Sequence, residues 1–209
     1  MANSYKDIII TPNRGNTADP KIEFRGGNSS VNTAITVQTY PTSNGTLSFE
    51  GTAGQLFSIT NDLTGSIYSV NDVSGIPSIE VFANGIIELA PISGTPRLRS
   101  YDEYINANTA STGATTLDLS SGNFFNLTLT GNVTFTYSNV PAGRMVSFTI
   151  AAKQDATGGR TITWPTGTKW AGGVAPPATT SANALDIRSV MTYDGGTNYI
   201  SSLSVKGVA

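Results

Sequence analysis

The chain has 209 residues, 12 of them basic and 14 acidic, for a formal charge of −2. Only 12% are charged, about half the roughly 25% of typical soluble domains, and there is no cysteine or histidine. Disulfides, thiolate or imidazole metal centres and histidine-dependent nucleophiles are therefore excluded. No run of Lys or Arg is present, so no nucleic-acid footprint is expected. Residues 1–7 are polar and nothing later is long and apolar enough to span a bilayer. The reading is a product made in the cytoplasm, with no Sec-type export signal and no membrane insertion.

Thr, Ser, Asn and Gly supply most of the polar positions, a composition suited to strands and tight turns. In chain order, residues 6–12 form a β-branched run stopped by Pro12. A turn at 13–16 and an alternating strand at 20–25 follow. Residues 26–30 break it, 34–40 alternate again, and Asn44-Gly45 is a hairpin signal into 47–50. Residues 47–90, LSFEGTAGQLFSITNDLTGSIYSVNDVSGIPSIEVFANGIIELA, are a string of short strands that partly repeats: 56–60 (LFSIT) is echoed by 67–71 (IYSVN). Strands at 79–82 and 86–89 complete it. Each is too short to bury much alone, and such strands gain a core by stacking on neighbours or on copies of themselves.

Pro91, Gly94 and Pro96 end this pattern. Ser100 followed by Glu103 fits a capping box, which predicts a short helical turn over 101–107. Residues 108–113 read as a connector. The expected organisation is an N-terminal β domain for assembly over 1–92, a linker with a short helix over 93–113, and a C-terminal domain over 114–209. Strands are predicted there at 115–119, 125–129, 133–137, 145–151, 160–165, 185–193 and 199–205. Gly131-Asn132 signals a hairpin, the apolar run 145–151 a central strand, and 194–198 the last turn. The fold class is all-β: a short-strand, trimerising N-terminal domain followed by an antiparallel, jelly-roll-like β-sandwich.

Chemistry is sparse. The adjacent acids Asp102-Glu103 sit in the expected linker, where neighbouring side chains do not converge, so no catalytic residue is assigned. Asn61-Asp62 and Asn71-Asp72 recur in the repeat. They could offer oxygen ligands to calcium, but without a complete calcium-loop pattern they read as Asx turns, as does Asp194. No metal or cofactor site is assigned. Arg97 and Arg99 are read as a solvated face or as ion-pair donors to a partner. Sequons at Asn28, Asn44, Asn126 and Asn132 are read as incidental without export. Trp164, Trp170, Tyr193 and Tyr199 are candidate contacts for a glycan or partner, weighed against packing in a core or interface. Trp170, in a Gly/Pro-rich stretch, is the one most expected at the surface.

The 47–90 block resembles segments of structural proteins of tailed bacteriophages, fibre-like and decoration proteins among them. So do NFFNLTLTGNVTFTYSNVPAGRMVSFTI, TITWPTGTKWAGGVAPP and MTYDGGTNYI in the second half. The resemblance implies a non-enzymatic virion component, usually a homotrimer, whose partners are its own copies and the major capsid protein or other virion proteins. A threefold axis would let short apolar-faced strands complete one another's core and hide their edges. The candidate trimer-core residues are Leu56, Phe57, Ile59, Ile67, Tyr68, Val70, Ile79, Val81, Ile87 and Leu89. Because the chain is short and its β pattern starts near Met1, a trimeric capsid decoration (cement) protein is expected ahead of a short tail fibre recognising host surface glycans.

Overall fold

The computed structural model of this chain describes residues 7–11, 20–25, 35–40 and 45–209. The turns expected at 13–16 and 26–30, the sequon at Asn28 and the Asn44 half of the Asn44-Gly45 turn lie outside the described residues. The chain divides into two compact units, 1–99 and 100–209, each taken by itself. Both are β structures.

The first unit is a meander of eight strands: β1 (Asp7–Thr11), β2 (Lys21–Arg25), β3 (Ile35–Tyr40), β4 (Thr46–Gly51), β5 (Gly54–Thr60), β6 (Ser66–Asn71), β7 (Pro77–Phe82) and β8 (Ile87–Leu89). They lie side by side in sequence order, each pair antiparallel. The two echoing segments become neighbours: β5 pairs with β6 through Ser58 opposite Ser69 and Ile59 opposite Tyr68. Asx turns join the strands. Asp72 Oδ1 accepts from the Ser74 amide at 2.8 Å, the Ser74 hydroxyl at 2.6 Å and the Ile76 amide at 3.0 Å. Asp62 and Asn84 accept in the same way from Thr64 and Ile86.

The second unit holds β9 (Ile105–Asp118), β10 (Phe124–Ser138), β11 (Val146–Gln154), β12 (Ile162–Thr163), β13 (Thr168–Trp170), β14 (Leu185–Thr192) and β15 (Tyr199–Val208). β9 and β10 pair in parallel, Ile105 with Phe124 at one end and Asp118 with Ser138 at the other. A straight strand of 14 residues spans about 45 Å. The five residues that join β9 to β10 reach about 20 Å. Both strands must therefore double back on themselves. The register irregularity between Leu129 and Val133, opposite Ser111 and Gly113, marks the bend. There a Cβ at Gly131 would sit 2.2 Å from Thr112 Oγ1, so only glycine lets the two corners stack. The first arms of β9 and β10 join β11, β14, β15 and β13 in one layer, and the second arms join β12 in the other.

The core lies between these layers. Phe125, Leu127, Leu129, Val133, Phe135, Phe148, Ile150 and Val190 are all buried. Phe125 and Tyr137 meet Phe148 edge-on at 6.0 and 5.0 Å between ring centres. The sandwich-like all-β class holds. β11 is central, between β10 and β14, and β14 and β15 form the last hairpin.

Three expectations change. No helix forms over 101–107: residues 101–104 have no regular structure, and β9 begins at Ile105. The connector expected at 108–113 is part of β9, because pairing with β10 satisfies its backbone whatever its low apolar content. Gly131-Asn132 is not a hairpin but the corner of one continuous strand. Its flanking arms pair with β9 rather than with each other.

The Tyr137 hydroxyl is buried with no hydrogen-bond partner among the described residues, and burial pushes its pKa up, with the Tyr199 phenol adding to the effect and Arg188 opposing it. An unpaired buried hydroxyl costs on the order of 1–3 kcal/mol of desolvation. Tyr137→Phe is therefore expected to leave the unit equally or more stable in a urea titration. A loss above about 1 kcal/mol would show that the hydroxyl has a partner.

Candidate functional site

Strand register sorts the first unit into two unlike faces. On one, cross-strand rows are apolar: Ile22, Val37, Phe49, Phe57, Val70, Ile79 and Leu89 lead into one another, as do Leu47, Ile59, Tyr68, Val81 and Ile87. Phe49 and Phe57 stack at 4.3 Å, and Phe57 meets Tyr68 at 6.1 Å. The other face is polar. Lys21 pairs with Glu23, Gln55 Nε2 donates to Ser48 Oγ at 2.9 Å, Asn71 Nδ2 donates to Gln55 Oε1 at 3.0 Å, and the Ser58 and Ser69 hydroxyls lie 3.0 Å apart.

Burial inverts the usual order. Ser48 and Ser69 on the polar face are buried, while Phe24, Ile35, Ile59 and Ile87 on the apolar face are 45%, 46%, 48% and 64% exposed. Among the described residues of this unit there is one sheet and no second layer over the apolar face. Of the ten candidate trimer-core residues, Phe57, Ile59, Tyr68, Val70, Ile79, Val81, Ile87 and Leu89 share this face. Leu56 joins them at a bulge, lying over Gly51. Ile67 does not: the alternation that puts its neighbour Tyr68 on the apolar face puts Ile67 on the polar side, where it lines a recess with Ser58 and Thr60.

The four candidate aromatics of the second unit separate as well. Tyr199 is buried, edge-on to Tyr137 at 4.7 Å, and burial followed by the nearby Asp194 charge raises its pKa. Trp164 packs against Phe135 at 5.4 Å and takes the Arg188 guanidinium over its ring at 5.2 Å. Trp170 leans edge-on against Trp164 at 5.2 Å. Tyr193 stands 65% exposed. Trp170 and Tyr193 line one pocket of about 590 Å³ with Lys169, Asn198, Ile200 and Ser202.

Three aspartates of the second unit close turns. Asp118 serves Ser120 and Asn139, Asp155 serves Gly158 and Arg160, and Asp194 serves Thr192 and Asn198. These bonds hold all three pKa values below the ordinary aspartate value. Arg97 and Arg99 are exposed, as are Asp102 and Glu103. Among the described residues no three acidic side chains gather as metal ligands.

Sequence patterning gave no sign of a buried ion pair in β14. Asp186 and Arg188 are 3% and 1% exposed, with Arg188 Nη1 at 3.3 Å from Asp186 Oδ2. Burial pushes the Asp186 pKa up, but donation from the Thr179 amide, the Thr179 hydroxyl and the Gly207 amide, with the Arg188 charge, outweighs it, and the net shift is downward. Burial likewise draws the Arg188 pKa down, against the opposing pull of Asp186. Arg188 Nη2 reaches the Pro176 carbonyl at 3.2 Å. The pair thus pins the 174–183 segment over the part of the core that the short second layer leaves open.

The two units thus present one sheet with an exposed apolar face and one sandwich with a surface pocket. Residues 111–198, under half of the chain, match the model of a family described as "Putative phage tail fibre C-terminal domain". The match runs from the corner of β9 to the turn before β15, and it supports a bacteriophage virion protein. No curated protein and no solved structure matches the chain.

Proposed function

We propose that the chain is a non-catalytic component of a phage tail fibre, assembled as a homotrimer through the apolar face of its first unit and meeting the host surface with its second. The observation that carries this reading is the tail-fibre match over 111–198, which favours a fibre over the capsid decoration role expected from chain length. The uncovered apolar face supports assembly, since exposed apolar patches of this kind mark interfaces. Asp118, Asp155 and Asp194 held in turns and Asp186 in a buried ion pair support a binding role rather than a catalytic one.

Immunogold labelling of intact particles with antibody against the full chain tests the location. Gold at the tail is expected. Gold over the head surface would return the protein to the decoration role and overturn the fibre reading.

A further inference from the structure

The outward face of the β11–β14–β15–β13 layer carries a groove that crosses four strands. One cross-strand row runs Ser147, Met191, Ile200, Lys169 through consecutive pairings. Beside it, Ser189 faces Ser202. The alternation that buries Val190, Tyr199 and Ser201 leaves Met191 38% and Ile200 40% exposed. The pocket of about 590 Å³ at Lys169, Trp170 and Tyr193 shares Ile200 and Ser202 with a smaller recess of about 200 Å³ reaching Ser189 and Ser147. Three inter-strand spacings make the groove about 14 Å long. The larger pocket alone falls within the roughly 300–1,000 Å³ of small-molecule sites.

The lining is amphipathic in a specific way. Tyr193 offers an exposed apolar ring with a polar tip, and Ile200 and Met191 add apolar floor, while Trp170, opposite buried Ser201, closes the rim from the inward side. Trp170 is held from behind by Trp164, which is itself fixed by Phe135 and Arg188. Asn198 gives its Nδ2 to Asp194 at 2.8 Å, so its Oδ1 is the atom left to accept from a ligand. Ser202 adds a hydroxyl. Lys169 has no ion-pair partner among the described residues, which leaves an ammonium at the end of the groove. A pyranose has an apolar face and a hydroxyl rim, and a hexuronate adds a carboxylate.

The geometry points to this groove as a binding site for an acidic saccharide: a sugar ring lies along Tyr193 and Ile200, and Lys169 takes the uronate carboxylate. The assignment rests on the reading that the second unit meets the host surface. It goes further by naming the face, the residues and the charge of the ligand. Asp194, whose carboxylate closes the neighbouring turn, does not compete for Lys169, because Thr192 and Asn198 hold it.

Calorimetric titration of the full chain with tetragalacturonate and with maltotetraose tests it. Tetragalacturonate is expected to bind, and more tightly than the neutral tetrasaccharide. Tyr193→Ala, at an exposed position, is expected to weaken that binding by about tenfold or more. Lys169→Gln is expected to erase the preference for the acidic sugar while leaving the circular dichroism spectrum unchanged. Absence of saturable binding to tetragalacturonate, or binding unaltered by Tyr193→Ala, would overturn the site. An unaltered preference in Lys169→Gln would overturn the charge assignment. None of these outcomes moves gold on the particle, so failure of the groove is distinguishable from failure of the fibre reading.

Discussion

Asp186→Ala is expected to remove about 3–5 kcal/mol from the stability of the second unit, the usual cost of leaving one partner of a buried ion pair behind. Four contacts go at once: Arg188 Nη1 at 3.3 Å, the Thr179 amide at 2.9 Å, the Thr179 hydroxyl at 2.7 Å and the Gly207 amide at 2.9 Å. The guanidinium left behind is 1% exposed, and its Nε has no partner among the described residues. Urea denaturation followed by tryptophan fluorescence is the measurement, since Trp164 lies under that guanidinium. The double replacement Asp186→Leu with Arg188→Met is expected to recover only part of the loss: it removes the stranded guanidinium but still leaves the Thr179 amide, the Thr179 hydroxyl and the Gly207 amide without their acceptor. A single-mutant loss below about 1 kcal/mol would show that water already reaches the pair.

The pair also sets an acid limit. The folded pKa of Asp186 lies below its ordinary value, near 3.9 for an unfolded aspartate. Its stabilisation is therefore complete above the unfolded value and is lost as pH falls through the folded one. Asp118, Asp155 and Asp194 shift in the same direction. The unit should hold constant stability from neutral pH to about 5, then weaken below about 4. That acid limb should be shallower in Asp186→Ala.

The second large effect concerns assembly. Ile59→Glu places a charge in the middle of the apolar face, opposite Leu47 and Tyr68. In a single copy Ile59 is 48% exposed, so the substitution should change monomer stability by no more than about 0.5 kcal/mol. In a trimer closed over that face, three carboxylates would be buried without partners, at several kcal/mol each. Every 1.4 kcal/mol is a factor of ten in association, so trimer should disappear at micromolar concentration. Light scattering should give three chain masses for the wild type and one for Ile59→Glu, with matching far-ultraviolet spectra. Thr36→Lys, on the polar face between Glu23 and Glu50, should leave the trimer intact. A wild type of one chain mass, or a variant of three, would refute assembly through this face.

Much of the first unit was legible because its strands obey period two with little interruption. In 47–90 the apolar and polar positions alternate regularly enough to give the shared face, except that a bulge adds Leu56 to it and Ile67, one step from Tyr68, falls on the other side. The second unit resisted at its corners. Alternation is equally good on both sides of Gly131-Asn132, and nothing local tells a hairpin from a strand that turns a corner and pairs elsewhere. Residues 105–113 carry Asn, Ala, Thr, Ser and Gly, so their strand state comes from the partner β10 rather than from their own propensity.

The candidate aromatics divide between core and surface for one reason. Parity along β14 and β15 separates Tyr193 from Tyr199, but sequence does not say which parity is the core. In β14 the apolar residues Leu185 and Ile187 occupy one parity and Val190 the other. The structure buries the second, with Asp186, Arg188, Val190 and Thr192 inside. A sandwich whose second layer is short can admit a charged pair there, because a loop rather than a sheet covers it.

The meander of the first unit has a kinetic consequence. Every strand pairs only with its neighbours in sequence, so its contacts are local, and chains of low contact order fold in microseconds to milliseconds. Synthesis proceeds at roughly 5–20 residues per second, far more slowly. Each hairpin can therefore zip up as it emerges, and the apolar face exists before a partner copy is at hand. Under the proposed assembly, encounter between nascent chains, not folding, would be the slow step. Such a sheet can also gain or lose whole strands without rethreading, each changing the width of its sticky face by one inter-strand spacing, about 4.8 Å.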